Sequence, residues 1–365
     1  MSEIHQKFIH WYFNEFQLSP LYEAMANTVE GSPWHRERNV GVHTDMVVSQ
    51  YLATNDGPFD VRGAIGCAFH DVGKPPAEIE KYSEARGHYR AYHGHELVSA
   101  RMWEDWAVQN WTFLSNEFNL VPYDIYVIGW MIEHHVPWMH KKESKLNAFA
   151  VTAFETLGYD ETWIDMLMAD QLGRISDDSH KRAEECEAWL SDLYDRVAKA
   201  EHRWKTYGDK MVYMLIGAPG CGKSTYRAKL LEQHPNAAVV SMDDLRLEWY
   251  GDDYDAAWLA STKDKRFAAK VDSFYVQTLR DNNVVIIDNT NTVAKQRNRW
   301  LAPARARDFQ ITASVFPVDL KTIVARQKTR TDHSVPTNVV TNMYNRQALP
   351  LYGDFDDVVV VSDNL

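Results

Sequence analysis

The stretch Tyr213-Met-Leu-Ile-Gly-Ala-Pro-Gly-Cys-Gly-Lys-Ser-Thr225 decides how the rest of the chain is parsed. The apolar run Met211 to Ile216 predicts a strand, Gly217 to Gly222 a tight turn, and Lys223-Ser224-Thr225 the start of a helix reaching about Leu231. This is Gly-x-x-x-x-Gly-Lys-Ser in the strand–loop–helix context that a phosphate-binding loop requires. Gly217, Gly220 and Gly222, with Cys221 between the last two, let successive backbone N–H groups turn inward around a phosphate. The helix N-terminus adds unpaired donors and the positive end of its dipole. Lys223 is expected to reach the β- and γ-phosphates and Ser224 a Mg²⁺ ion, with Thr225 completing the cofactor-binding stretch. The loop thus calls for ATP and Mg²⁺, but more than two hundred residues precede it and need their own explanation.

Those residues differ in charge. Positions 1–205 carry 19 Lys and Arg against 32 Asp and Glu, whereas 206–365 carry 20 against 19, so the overall charge of −12 sits in the first part. Thirteen of the 15 histidines lie there too. Two domains of different chemistry, 1–205 and 206–365, are expected. A 45% hydrophobic content with 12% aromatics fits folded domains. No apolar run approaches the roughly 20 residues of a membrane span, and the Met-Ser-Glu-Ile-His start has no charged-then-apolar leader pattern, so a cytoplasmic protein is expected. Cys67, Cys186 and Cys221 are too few and scattered for a disulfide framework or a cysteine zinc site. The acidic balance argues against a protein that coats nucleic acid, but it leaves room for a local basic groove.

From about residue 3 to 205 the pattern is helical, with breaks near Gly31-Ser-Pro33, Asn55-Asp-Gly-Pro58 and Gly158, and the domain reads as all-α. The closely spaced Phe8, Trp11, Tyr12, Phe13 and Phe16, and Trp103, Trp106, Trp111, Trp130 and Trp138, read as core. His43, the His70-Asp71 doublet, His95, the His134-His135 pair and Asp170 fall on separate helical segments. Side chains drawn from facing helices are how a bundle builds a metal site. Imidazole and carboxylate without thiolate suit a divalent ion such as Mn²⁺, Fe²⁺, Co²⁺, Ni²⁺ or Zn²⁺. His88, His93 and His140 receive no role.

In order and type these residues resemble the HD-domain metal-dependent phosphohydrolases, over roughly residues 35–175. The resemblance implies one ion held by His43, His70, Asp71 and Asp170, and a second by Asp71, His95 and His134 or His135, with His134 favoured. It also implies that Lys74, in His70-Asp-Val-Gly-Lys74, binds phosphate or stabilises the transition state. Two such ions would acidify a bridging water and bind phosphoryl oxygens.

After the loop, β-like runs at Met211–Ile216, Ala237–Ser241, Val284–Ile287, Ile311–Val315 and Val358–Val361 alternate with helical stretches that include Ser224–Leu231, Lys263–Arg280 and Val318–Thr329. Such alternation predicts a parallel sheet with ligands beyond the strand C-termini. There stand Asp243-Asp-Leu-Arg246, Asp288 and the pair Arg326 and Arg330. A kinase needs a carboxylate to accept the hydroxyl proton, cations over the transferring phosphoryl, and Mg²⁺. Asp243 or Asp244 can be the base, Arg326 and Arg330 can close over the phosphates, and Asp288 can support the metal. The set resembles the polynucleotide 5′-hydroxyl kinases of RNA repair, over about 211–361. That resemblance implies Asp243 as general base and Arg246 as contact to the acceptor strand.

The two halves together resemble the bifunctional HD-Pnk end-healing enzymes, which implies RNA or DNA ends as substrates. No Lys-x-Asp-Gly nucleotidyl-transfer motif occurs, so sealing would fall to a separate ligase. Two other readings fit the same residues: a small-molecule kinase fused to an HD nucleotidase, or a kinase carrying an HD module that senses nucleotides. Trp249, Tyr250, Tyr254 and Trp258 can stack on a base or simply pack.

Overall fold

The computed structural model describes residues 1–32, 35–54, 58–84, 87–135, 162–177, 179–199, 209–330, 334–351, 354–363 and 365. The chain divides into two units, Met1–Glu201 and His202–Leu365. Trp138, His140, Gly158 and the expected boundary at 205/206 lie outside the described residues.

The first unit is helical. Ser2 caps helix Glu3–Asn14 by accepting the His5 N–H, and Phe8, Trp11 and Tyr12 face inward. The Trp11 ring meets Phe16, Phe69 and Trp106 at centroid distances of 5.2 to 6.5 Å, Tyr12 stacks on Phe16 at 5.7 Å and Phe8 on Tyr12 at 6.0 Å. Trp103 and Trp130 are fully buried. Helices Val40–Thr54, Val61–Phe69, His95–Gln109, Pro122–Glu133 and Thr162–Leu172 surround this core. Two short antiparallel hairpins, which the helical reading of 1–205 misses, interrupt them. β1 (Val29–Ser32) pairs with β2 (His35–Asn39), and β3 (Ile79–Ser83) pairs with β4 (Gly87–Ala91). Their strands are only four or five residues long and mostly polar, so they carry no clear alternation of apolar residues.

The second unit is built on five parallel strands: β5 (Met211–Ile216), β6 (Ala238–Val240), β7 (Val284–Ile287), β8 (Gln310–Val315) and β9 (Asp357–Val360). Their order is β6-β7-β5-β8-β9, with Met214 opposite Ile287 on one side and Ala313 on the other. Central β5 is apolar nearly throughout because helices cover the sheet. It delivers the chain directly into the glycine-rich turn. The helix expected over Lys263–Arg280 starts four residues later, as Phe267–Asp281, and a separate helix, Tyr254–Lys263, precedes it. Asp264 divides them, since its carboxylate accepts the Arg266 N–H, the Tyr250 hydroxyl and the Lys270 ammonium. That local bonding offers the backbone an alternative to continued helix.

Candidate functional site

In the first unit, the sequence places four histidines and two aspartates on different elements, and the fold brings them to one point. His43 comes from helix Val40–Thr54, His70 and Asp71 from the end of Val61–Phe69, His95 from the start of His95–Gln109, and Asp170 from Thr162–Leu172. Gly73 permits the approach of two of these elements. A Cβ there would lie 2.4 Å from the His95 carbonyl oxygen and 2.5 Å from the Ser99 nitrogen.

His135, rather than the favoured His134, joins this group. Helix Pro122–Glu133 ends just before the pair and His134 leaves helical geometry as its C-cap, so the two rings diverge. His134 stacks on Trp130 at 4.9 Å, while His135 turns its Nε2 towards Asp71 at 3.7 Å.

The two Asp71 oxygens face different partners. Oδ2 lies 3.1 Å from His70 Nε2 and 3.6 Å from His43 Nε2, and Oδ1 lies 3.1 Å from His95 Nε2. Asp170 Oδ1 is 3.2 Å from His43 Nε2 and 3.9 Å from His70 Nε2. Its other oxygen, Oδ2, accepts from Arg174 and Gln171. His70, His95 and His135 each donate Nδ1–H to a backbone carbonyl, of Cys67, Tyr92 and Ile132 respectively. These bonds fix the tautomer that presents Nε2 as a lone pair. Donor atoms of His43, His70 and Asp71 lie within 4.8 Å of one another, as do those of Asp71, His95 and His135.

The chemistry of this set fits divalent cations. His70 Nε2 and His43 Nε2 are 3.3 Å apart, and two lone pairs at that distance need a proton or a metal between them. Both Asp71 oxygens and His95 Nε2 are buried and lack an aligned hydrogen-bond partner among the described residues. Burial would lower the His43 imidazolium, but Asp170 and Glu37 beside it lift it to about 9. Burial would raise Asp71, but the charges of His70 and Lys74 hold it well below the usual carboxylate range.

Lys74, expected at a phosphate, is buried between two carboxylates, 2.7 Å from Asp71 Oδ2 and donating to Glu30. Glu30, His35, Glu37 and Arg174 around this cluster were missed by sequence reasoning. The first three sit on the unpredicted β1–β2 hairpin. Arg174, one turn beyond Asp170 at i,i+4, was the one that spacing could have found.

The second unit's site surrounds the loop. Gly220 and Gly222 adopt φ of 95° and 110°, and Gly222 caps helix Lys223–Gln233. Lys223 Nζ donates to the carbonyls of Gly217 and Ala218 at 2.8 and 2.9 Å, and Cys221 Sγ is 3.7 Å away. Lys223, Ser224, Thr225, Asp243, Asp288, Arg326 and Arg330 line one cavity of about 1050 Å³. Gly217 and Cys221 shape the loop from beneath: Cys221 is buried, and a Cβ on Gly217 would meet its Sγ at 2.4 Å.

Helix Met242–Tyr250 starts just after β6, with Ser241 as its cap, and so presents Asp243 at the strand end. Asp243 Oδ1 accepts from Arg246 at 2.5 Å and from the Tyr254 hydroxyl at 2.9 Å. Arg246 is held in turn by Ser261 at 3.1 Å and by the Phe267 ring. Arg227, absent from the sequence reading, joins Asp244 at 2.8 Å to Asp288 at 3.3 Å. Arg326 reaches the Gly220 carbonyl at 3.2 Å. Trp249 and Tyr250 pack against Phe267, while Trp258 stays 48% exposed.

A family model described as an AAA domain matches residues 212–350, which lie within the second unit. The fold and the loop make this unit a P-loop domain of kinase-like layout, which implies ATP and Mg²⁺. Among the described residues, no helix is long and apolar enough to cross a membrane. The chain is similar to a chain of the Pnkp1/Rnl/Hen1 RNA repair complex, at 22% identity and TM-score 0.31 over 40% of this chain and 46% of that one. It is similar to a chain of a second Pnkp1/Rnl/Hen1 structure, at 24% identity and TM-score 0.29 over 36% and 43%. This chain therefore covers less than half the length of either. It is also similar to a gluconokinase from Sinorhizobium meliloti 1021, at 15% identity and TM-score 0.31 over 42% of this chain and 83% of that one.

Proposed function

We propose that this chain heals broken nucleic-acid ends. The P-loop unit phosphorylates a 5′-hydroxyl with ATP and Mg²⁺, and the helical unit, as an HD-type phosphohydrolase, removes a 2′,3′-cyclic, 2′- or 3′-terminal phosphate. The observation that carries this reading is the pairing, in one chain, of a buried His/Asp cluster with a loop cavity lined by Asp243, whose carboxylate Arg246 holds. In the kinase half both donors to Asp243 fall on Oδ1. Oδ2 then faces the acceptor hydroxyl and takes its proton, while Lys223, Arg326 and Arg330 balance charge on the phosphates. In the other half His43, His70, Asp71, Asp170, His95 and His135 would hold the divalent ions, which supply Lewis acidity for phosphoester hydrolysis. In this reading the protein acts in the cytoplasm, upstream of a separate ligase.

The test supplies a 5′-hydroxyl oligonucleotide with ATP and Mg²⁺, and separately a 2′,3′-cyclic phosphate end with Mn²⁺ or Ni²⁺. Phosphate transfer and phosphate release are the expected results, with Lys223→Ala abolishing only the first and Asp71→Ala only the second. Absence of transfer to the oligonucleotide overturns the kinase half. A second reading, a kinase of small hydroxyl compounds, draws on the acidic wall that Asp252, Asp253 and Asp363 give the cavity. Under that reading mononucleosides outcompete oligonucleotides.

A further inference from the structure

His43 differs from the other imidazoles of the cluster. His70, His95 and His135 each set their Nδ1 against a backbone carbonyl, whereas His43 Nδ1 lies 3.0 Å from Oε1 of Glu37. Glu37 is buried on β2, outside the ligand set. The same Oε1 accepts from His35 Nδ1 at 2.8 Å, and Oε2 accepts the Ile175 N–H at 3.2 Å. Both oxygens are thus engaged and the carboxylate has a fixed orientation. Burial would raise Glu37, but the His35 and His43 imidazoles hold it below the usual carboxylate range.

The donor atoms of His35, Glu37 and His43 lie close enough to pass for a metal triad of their own. The hydrogen-bonding pattern argues otherwise. Glu37 Oε1 already accepts from His35 Nδ1, and an ion there would take His43 by Nδ1 while its Nε2 faces Asp71 and Asp170. The arrangement instead matches a carboxylate that orients a ligating histidine from behind and raises its basicity.

We infer that Glu37 is a positioning residue for the metal centre: it holds His43 in the tautomer and orientation that direct Nε2 at the ion shared with His70, Asp71 and Asp170. The inference rests on the reading of the cluster as a divalent metal site. The β1–β2 hairpin then has a definite role. It delivers Glu37 to His43 and, on the same face of the site, Glu30 to Lys74 and His35.

The experiment is Mn²⁺ titration of the full chain by calorimetry, for the wild type, Glu37→Gln and Glu37→Ala, with melting of each EDTA-treated protein recorded alongside. Loss of such an outer partner costs about 10- to 100-fold in metal affinity. Glu37→Gln, whose amide oxygen still accepts the Nδ1–H but carries no charge, is expected near the lower end, with metal-free melting unchanged. Glu37→Ala is expected near the upper end. Wild-type affinity in both variants overturns the inference and leaves the metal site standing. A loss of affinity in both that only tracks a loss of metal-free stability identifies a scaffold role and also overturns it. If the wild type itself binds no Mn²⁺, Ni²⁺ or Co²⁺, the metal reading falls, and the inference with it.

Discussion

The histidine cluster of the helical unit keeps His43, His70, Asp71 and Asp170 out of water, whereas the P-loop cavity leaves the Asp243 and Asp244 side chains more than half exposed. In the first, charges are neutralised by one another: Asp71 by His70 and Lys74, Lys74 by Glu30, Asp170 by Arg174. In the second, solvent does much of that work, and Lys223, Arg326 and Arg330 line the cavity. The difference teaches that the two sites rest on different physics. A buried set depends on every member, because an ion left without its partner in low dielectric is costly. An open set can lose a member and keep the fold, because water replaces the partner.

The largest expected effect contrasts the two aspartates directly. Asp71→Asn removes the charge that faces His43, His70 and Lys74, and is expected to destabilise the helical unit by about 3–5 kcal/mol as well as abolish metal-dependent phosphate release. Asp243→Asn is expected to leave melting within about 0.5 kcal/mol of the wild type. It should nevertheless slow phosphoryl transfer by roughly 10²–10⁴-fold, the usual contribution of a general base. Denaturant melts and kinase rates on both variants check this. Equal stability losses would break the contrast between a buried and an open site.

A smaller effect follows from ion removal. A ligand that binds only the folded state adds about 2.7 kcal/mol when present at a hundred times its dissociation constant. EDTA is therefore expected to lower the melting transition of the helical unit by about that amount relative to a Mn²⁺-saturated sample. Tryptophan fluorescence reports this transition mainly through the buried Trp103, Trp130 and Trp163 of the first unit, with the buried Trp300 reporting on the second. Without nucleotide the P-loop unit should melt alike in both samples. A chelator-insensitive first transition would show that the cluster is held by its internal ion pairs alone.

The two sites were also unequally legible. The P-loop is local: strand, turn and helix are contiguous, and the glycines announce themselves at Gly220 and Gly222, where φ is positive. Asp243, Arg326 and Arg330 followed because a parallel sheet puts its strand ends, and whatever comes after them, on one edge. The cluster was legible only as a set of ligand types. The choice between His134 and His135 turned on where one helix stops, at Glu133, a boundary that periodicity does not fix to a residue. Glu30, His35 and Glu37 were hidden because their hairpin is short and polar. Their value comes from pairing with Lys74, 44 residues beyond Glu30, and with His43 on the next helix. Lys74 was assigned to a phosphate by resemblance, and the sequence does not display the carboxylates that flank it, Asp71 and Glu30.

The smallest effect probes the edge between these two regimes. Tyr254 begins a helix outside the Asp243 segment, lines the cavity, and donates its hydroxyl to the same Asp243 oxygen that Arg246 uses. Burial and the neighbouring Asp243 carboxylate push the phenol up to about 12, so it remains a proton donor throughout the working range. Losing one such hydrogen bond costs about 1 kcal/mol, or roughly five- to tenfold in rate. Tyr254→Phe is therefore expected to lower kcat by that factor with KM for ATP unchanged, because the ring stays and only the orienting donor is lost. A fall in kcat matched by a rise in KM for ATP would assign Tyr254 to packing of the cavity wall rather than to holding the base.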